Sequence, residues 1–360
     1  MVEFKEPILV WGAGAIGGAM GASWIRSGHD VVFVDVAADH VGAINNTGLK
    51  IEGSVFNDVV RARACVPTAL EGKFDIVVLA VKAQHTAQAI RSIEPHLSKS
   101  GVVISCQNGM NELEIAKVIG AERTIGAFLN FTADWIGPGH INYAGRGSVV
   151  IGEIDGSSTP RIEHLHRLFR EFDEDAILTA NIFGYLWSKL AYGAVLSAAA
   201  VTNETTADFL ASPEMRPLIT VLSREVLNTA LAEGAEPQPF QGFDPAPFIK
   251  NDPTEIEACI SNILSRRKGT AKPRSGFWRD LAVRKRPTEV PQHLGPVCEA
   301  AHRHGLSIET VAHLIAQVRR IETGQAVNDI ALAREMLATA IASIAKSSIH
   351  PPDSGLTAFV

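Results

Sequence analysis

Nowhere in the 360 residues is there a run of about 18 uninterrupted apolar residues, so no helix is expected to span a bilayer. Cysteine is scarce. Its four positions, Cys65, Cys106, Cys259 and Cys298, lie far apart with no CxxC spacing. That argues against a disulfide framework or a zinc site, and for reduced thiols in a cytoplasm. No other cluster has metal-ligand spacing, so no metal is expected. Positive charge is not in excess either. The formal net charge of -6 speaks against nucleic acid or an anionic membrane as a main partner. The opening "MVEFKEPILVWGAG" carries acids and passes straight into a strand-like run, unlike a signal or transit peptide. There is no internal repeat and no low-complexity tract. What is present, 46% hydrophobic and 20% charged residues, is the balance of an ordered globular chain. Its length suits two domains.

The segment "PILVWGAGAIGGAMGASWIRSGHDVVFVD" predicts a strand at Ile8–Trp11, a glycine turn, a helix of small and apolar residues stopped by Gly28, and a second strand at Val31–Val34. Gly12, Gly14 and Gly17 form a G-x-G-x-x-G pattern. The first glycine permits the tight turn, the second lets a pyrophosphate approach the backbone, and the third lets helix and strand pack closely. Gly12, Ala13, Gly14, Ala15, Ile16 and Gly17 would then cradle phosphates at a helix N-terminus, where free N–H groups favour anions. The pattern alone is weak. Its place between strand and helix, answered by Asp35 at the end of the next strand, makes dinucleotide binding the expectation.

The alternation continues through "FDIVVLAVKA", "HTAQAIRSIEPHL" and "GVVISCQNG", which read as strand, helix and strand of a mostly parallel, doubly wound sheet. From Thr124, alternating strands with turn glycines predict an antiparallel edge. "PRIEHLHRLFREF" reads as a helix and "DAILTA" as a last strand. Beyond about Asn181 only helical patterns recur. The expected fold is therefore α/β, with a Rossmann-like N-terminal domain over residues 1–180. An all-α domain over 181–346 and an irregular tail over 347–360 would follow.

Polar residues interrupt this pattern at telling places. Lys82 ends one strand, and Gln107 and Asn108 end another, on the side where open α/β sheets bind ligands. In "YLWSKLAYGAVLSAAA" (residues 185–200), Lys189, Gly193 and Ser197 share one stripe of a helix that is otherwise apolar or small. Such a helix is buried, so Lys189 either snorkels past its neighbours or points into a cleft. From Arg266 to Arg286 nine cations face one acid, Asp280. This is a solvated basic face by default, or a patch that draws an anionic substrate to a nearby cleft.

Together these stretches resemble the ketopantoate reductases (2-dehydropantoate 2-reductases) over nearly the whole chain. The markers are "GAGAIGG", "VVLAVKA" with Lys82, "CQNGM" with Asn108, "LWSKLAYGAVLSA" with Lys189, and "RSGFWRDLAVRKRPTE" with Ser275, Asp280 and Glu289. The resemblance implies a Rossmann-like domain joined to a helical one, the active site between them, and a role in pantothenate biosynthesis. By that resemblance Lys189 is the general acid that protonates a carbonyl oxygen during hydride transfer. Asn108 and Lys82 would lie near the nicotinamide and its ribose. Glu289 would bind substrate and, with Asn108, complete the catalytic set. Elementary chemistry agrees, because hydride addition to a ketone creates an alkoxide that a proton donor stabilises.

Three features depart from that family. Gly193 and Ser197 stand where it usually has asparagines that hold substrate. Val36 follows Asp35 where NADP-binding members generally place an arginine. The stretch from Asp280 to Glu289 is one residue longer than usual, which leaves the alignment of Ser275 open. The expectation is reduction of a 2-oxo acid (ketopantoate or a related branched one), with NAD as cofactor in preference to NADP. Gly193, Ser197, Ser275 and Glu289 would contact substrate. Expected partners are that small molecule and a second copy of the chain as a homodimer. A 3-hydroxyacid-type dehydrogenase and a non-enzymatic NAD-binding sensor stay open as other readings.

Overall fold

The computed structural model describes residue 4, residues 7–267 and residues 273–349, without the side chains of 347–349. The chain divides into two compact units, Met1–Leu186 and Trp187–Val360.

Unit 1 is built on a ten-stranded sheet. Its strands are β1 (Ile8–Trp11), β2 (Val31–Val34), β3 (Leu49–Glu52), β4 (Asp58–Val60), β5 (Arg63–Cys65), β6 (Phe74–Leu79), β7 (Leu97–Ser105), β8 (Thr124–Gly137), β9 (His140–Glu153) and β10 (Ile177–Leu178). The order is β4-β3-β9-β8-β7-β6-β1-β2-β5, with β10 paired to β9. From β5 to β8 every neighbour is parallel. The chain leaves β1 for β2 on one side and returns to β6 on the other, so the sheet's switch point lies beside β1.

β1 shows why the sheet is buried on both faces. Ile8 and Val10 point into one core with Phe33, Val78 and Ile104. Leu9 and Trp11 point into a second core with Val32, Val77 and Val103. Helices α1 (Ala15–Arg26) and α5 (Pro160–Phe172) cover the first face through Met20, Trp24, Leu165 and Phe169. Helices α3 (Thr86–Ile93) and α4 (Glu112–Ile119) cover the second through Ile90, Ile93 and Ile115. The short α2 (Ala38–Thr47) follows β2. The small residues of α1 let it lie close: a Cβ on Gly17 would overlap the Gly12 carbonyl oxygen, and one on Gly21 the Phe33 ring.

The antiparallel element predicted after Thr124 is the β8–β9 hairpin, closed by Pro138 and Gly139. It is not the rim of the sheet. β3 adds in parallel beyond β9, and β4 antiparallel beyond β3. Neither strand, nor β5, is anticipated, because each is three or four residues long and, unlike β1 and β2, is not an uninterrupted apolar run. "DAILTA" contributes only the two residues of β10.

In unit 2 the described residues hold no strand beyond an isolated bridge between Phe240 and Phe243. Its helices are α6 (Ile182–Ala200), α7 (Thr206–Ala211), α8 (Arg216–Ala232), α9 (Ala246–Lys250), α10 (Pro253–Arg267), α11 (Gly276–Trp278), α12 (Val290–Arg303), α13 (Glu309–Glu322) and α14 (Ile330–Ile349). The two units part inside α6, between Leu186 and Trp187. The first turn of α6 belongs to the sheet: Ile182 fills the space that side chains would take at Gly126 and Gly152, and Tyr185 packs on Phe128. Helix α14 runs to Ile349, past the predicted limit at 346. Residues 350–360 of the expected tail lie outside the described residues. Among the described residues no helix is long and apolar enough to cross a membrane.

Candidate active site

The glycine turn leaves β1 at Gly12, whose φ of +101° suits glycine. A Cβ there would sit 2.9 Å from the Ala80 carbonyl carbon. Gly14 caps α1, and a Cβ built on it meets no heavy atom within 4 Å. The turn is thus closed at Gly12 and open at Gly14. Residues 14–16 are half-buried while 11–13 and 17–24 are buried. No side chain caps α1 and no acid occupies its first turn, so its leading N–H groups are free to meet an anion. These features fit a dinucleotide pyrophosphate.

Asp35 follows β2, and its carboxylate is held by backbone. Oδ2 accepts the Ala13 N–H and Oδ1 the Ala37 N–H, each at 3.0 Å. It lines a pocket of about 280 Å³ with Trp11, Val36, Pro67, His85 and Gln88. No lysine or arginine lines that pocket.

Lys82 and Asn108 leave the carboxyl ends of β6 and β7, where the sequence placed them. Lys82 is half-buried and Asn108 exposed. A buried chain of hydrogen bonds joins their loops. Gln107 Nε2 donates to the Val81 carbonyl at 2.9 Å and to Thr86 Oγ1 at 2.8 Å. Thr86 Oγ1 donates to Asn111 Oδ1 at 2.9 Å, and Asn111 Nδ2 donates to the Asn108 carbonyl at 2.7 Å. In the sequence Gln107 is only a polar loop residue; the structure makes it a brace between the two loops.

In unit 2, Lys189 is half-buried on α6 while Trp187, Ser188, Leu190 and Ala191 are buried. A Cβ on Gly193, one turn later, would meet nothing within 4 Å. Ser197 is not open to the same space: it is buried, and its hydroxyl donates to the Gly193 carbonyl at 2.8 Å. Its hydroxyl proton is therefore already used. Ser275 Oγ caps α11 by accepting the Trp278 N–H at 3.3 Å. A π-helical turn, Arg279–Val283, continues from α11 and buries Asp280, which accepts from Arg284 and Arg286 at 2.9 Å each. Glu289 caps α12, and its Oε1 lies 3.8 Å from Nε2 of buried His293, one turn on. Thr288, just before it, donates from its N–H and hydroxyl to Glu322, at 2.7 and 2.8 Å.

His293 was missed, although its i, i+4 spacing from Glu289 was visible. The basic run is largely local. Arg284 and Arg286 serve Asp280, Arg274 lies over the Trp278 ring at 4.6 Å, and Lys268 and Lys272 lie outside the described residues. Burial pushes the Cys298 thiol up to about 11, which disfavours its thiolate at neutral pH. No group of three His, Cys, Asp or Glu among the described residues could hold a metal.

A parallel sheet with a glycine turn at its switch point and a carboxylate after the second strand defines a dinucleotide-binding protein of the Rossmann class. Comparison with known proteins narrows the class. The sequence profile described as "Ketopantoate reductase PanE/ApbA" matches residues 8–156, and its C-terminal counterpart matches residues 181–322. The chain belongs to the ketopantoate reductase family. A 2-dehydropantoate 2-reductase of Pyrococcus abyssi is 36% identical over 188 residues, covering 51% of this chain and 59% of that relative. One from Archaeoglobus fulgidus is 27% identical over 325 residues, 89% of this chain and 99% of its own length. Among solved structures, a D-mandelate dehydrogenase with NADH and anilino(oxo)acetate superposes with a TM-score of 0.77. Its identity is 20%, over 88% of this chain and 98% of that one.

Proposed function

We propose that the protein reduces a 2-oxo acid to the 2-hydroxy acid with NADH as cofactor, and that Lys189 is the general acid. The observation that carries this reading is Lys189 itself, half-buried on a helix whose neighbouring positions are buried and next to open space at Gly193. Bound at the glycine turn, the nicotinamide cofactor supplies the hydride. The chain's residues do the rest. The first-turn N–H groups of α1 hold the pyrophosphate, and Asp35 accepts from the adenosine ribose hydroxyls. Lys189 holds a proton at Nζ for the carbonyl oxygen, where negative charge grows. Asn108 orients the reacting groups, and Glu289 with Ser275 binds the substrate. Family membership favours this over the 3-hydroxyacid dehydrogenase and sensor readings.

The test is whether the purified protein oxidises NADH when offered a panel of 2-oxo acids that includes ketopantoate and phenylglyoxylate. No oxidation with any member would sink the proposal.

Gly193 gives a prediction about which member wins. Without a side chain one turn from Lys189, the helix offers room and lacks an amide for a substrate hydroxyl. A 2-oxo acid bulkier than ketopantoate, or shaped differently, is the expected better substrate, as phenylglyoxylate would be. Gly193→Asn should shift the kcat/KM ratio towards ketopantoate by about tenfold, the scale of one well-placed contact. Clear superiority of ketopantoate in the unaltered protein would remove the argument.

A further inference from the structure

Ala13, inside the glycine turn, is held from both sides. Its N–H donates to Asp35, and its carbonyl lies 2.8 Å from Nε2 of His40. The other ring nitrogen, Nδ1, accepts the Gly139 N–H at 2.8 Å. A backbone N–H can only donate, so Nδ1 carries no proton there, and Nε2 carries the one that goes to Ala13. The imidazole is 1% exposed, which leaves little access for water to replace either bond. Gly139 sits at φ +67° in the β8–β9 turn, and its carbonyl accepts from the Lys50 N–H of β3 at 2.8 Å. Trp135 of β8 stands edge-on to the imidazole, with 6.3 Å between centroids. One side chain thus ties the glycine turn to the antiparallel part of the sheet.

We infer that His40 is a positioning residue for dinucleotide binding: as the Nε2–H tautomer it locks the Ala13 carbonyl and thereby aims the N–H groups that follow. The role rests on the reading of the glycine turn as a nucleotide site. Ala13 stands between Gly12 and Gly14, residues with the widest backbone freedom. Without a fixed partner, the peptide between Ala13 and Gly14 would have to be ordered at the moment of binding. A preformed turn avoids that cost, and affinity rises accordingly.

The experiment is a calorimetric titration of the full chain with NADH and with NADPH, alongside unfolding temperatures without cofactor. His40→Phe keeps the ring's bulk and removes both nitrogens. His40→Gln carries a donor and an acceptor at the end of a side chain of similar reach. We expect His40→Phe to weaken NADH binding by about tenfold, the scale of losing the one hydrogen bond that fixes the Ala13 carbonyl. His40→Gln should recover most of that loss, whatever either change does to the unfolding temperature. Unchanged affinity in His40→Phe, or a loss that His40→Gln does not recover, would overturn the role of His40 alone. An unaltered protein that binds neither NADH nor NADPH would overturn the nucleotide reading and His40's role with it. Should His40→Phe fail to fold, nitrogen-15 spectra of the unaltered protein report the tautomer directly. A ring protonated at Nε2 only supports the inference, and one protonated at Nδ1 overturns it.

Discussion

Lys189→Ala is expected to lower kcat by roughly 10²- to 10⁴-fold, the contribution of a positioned general acid. NADH affinity should hardly change, because the glycine turn and Asp35 belong to unit 1 and Lys189 to unit 2. The variant should fold, since alanine is the strongest helix former and the lysine stands on a regular helix. Lys189→Arg separates charge from proton transfer. A guanidinium keeps the positive charge but does not release its proton in the working range, so it should restore little of the rate. Recovery to near-normal turnover in Lys189→Arg would reduce the lysine to a positive charge. Near-normal turnover in Lys189→Ala would end the catalytic claim altogether.

Much of this site could be read from residue types, and what could not has a physical explanation. Gly12, Gly14 and Gly17 were legible because each answers a steric demand: a positive φ, an open approach, and a close helix. The positions of Lys82 and Asn108 after β6 and β7 were legible because the apolar strand runs before them are clear. Lys189 stands out because a long cation breaks an otherwise apolar helix, and the structure shows it half-buried one turn from Gly193. His40 was not. Both of its partners are backbone groups, 27 and 99 residues away, and a backbone carbonyl or N–H leaves no signature in residue types. The bracing role of Gln107 was hidden for a similar reason, since one of its bonds and the chain's last bond go to main-chain carbonyls. Ser197 shows a different limit of residue types. Its spacing from Lys189 was right, but a hydroxyl inside a helix can turn back to the carbonyl one turn earlier, and here it does. The point inside α6 where the two units part has no mark in the sequence, because a continuous helix carries no break where its packing partners change.

NADH is expected to outperform NADPH in kcat/KM by about tenfold to thirtyfold. Asp35 ends where an acid accepts from the adenosine ribose hydroxyls, and there the 2′-phosphate of NADPH would meet a carboxylate instead. At an effective dielectric near 20, like charges about 4 Å apart repel by about 4 kcal/mol before salt screening. A third to a half of that remaining gives the stated ratio. Two structural facts sharpen the expectation. The carboxylate cannot swing away freely, because each oxygen already accepts a backbone N–H at 3.0 Å. The pocket that it lines offers His85 but no lysine or arginine to neutralise a phosphate, and the next residue, Val36, is an exposed apolar side chain. Those two bonds also decide which substitution tests the idea best. Asp35→Ala should narrow the gap, but it leaves the Ala13 and Ala37 N–H groups without their acceptor and so disturbs the turn as well. Asp35→Asn removes the charge and keeps one carbonyl oxygen for the turn or the ribose. It should raise kcat/KM with NADPH while lowering that with NADH only modestly. Equal or better use of NADPH by the unaltered protein would show that a cation from elsewhere in the chain reaches the 2′-phosphate, and that Asp35 does not set the preference.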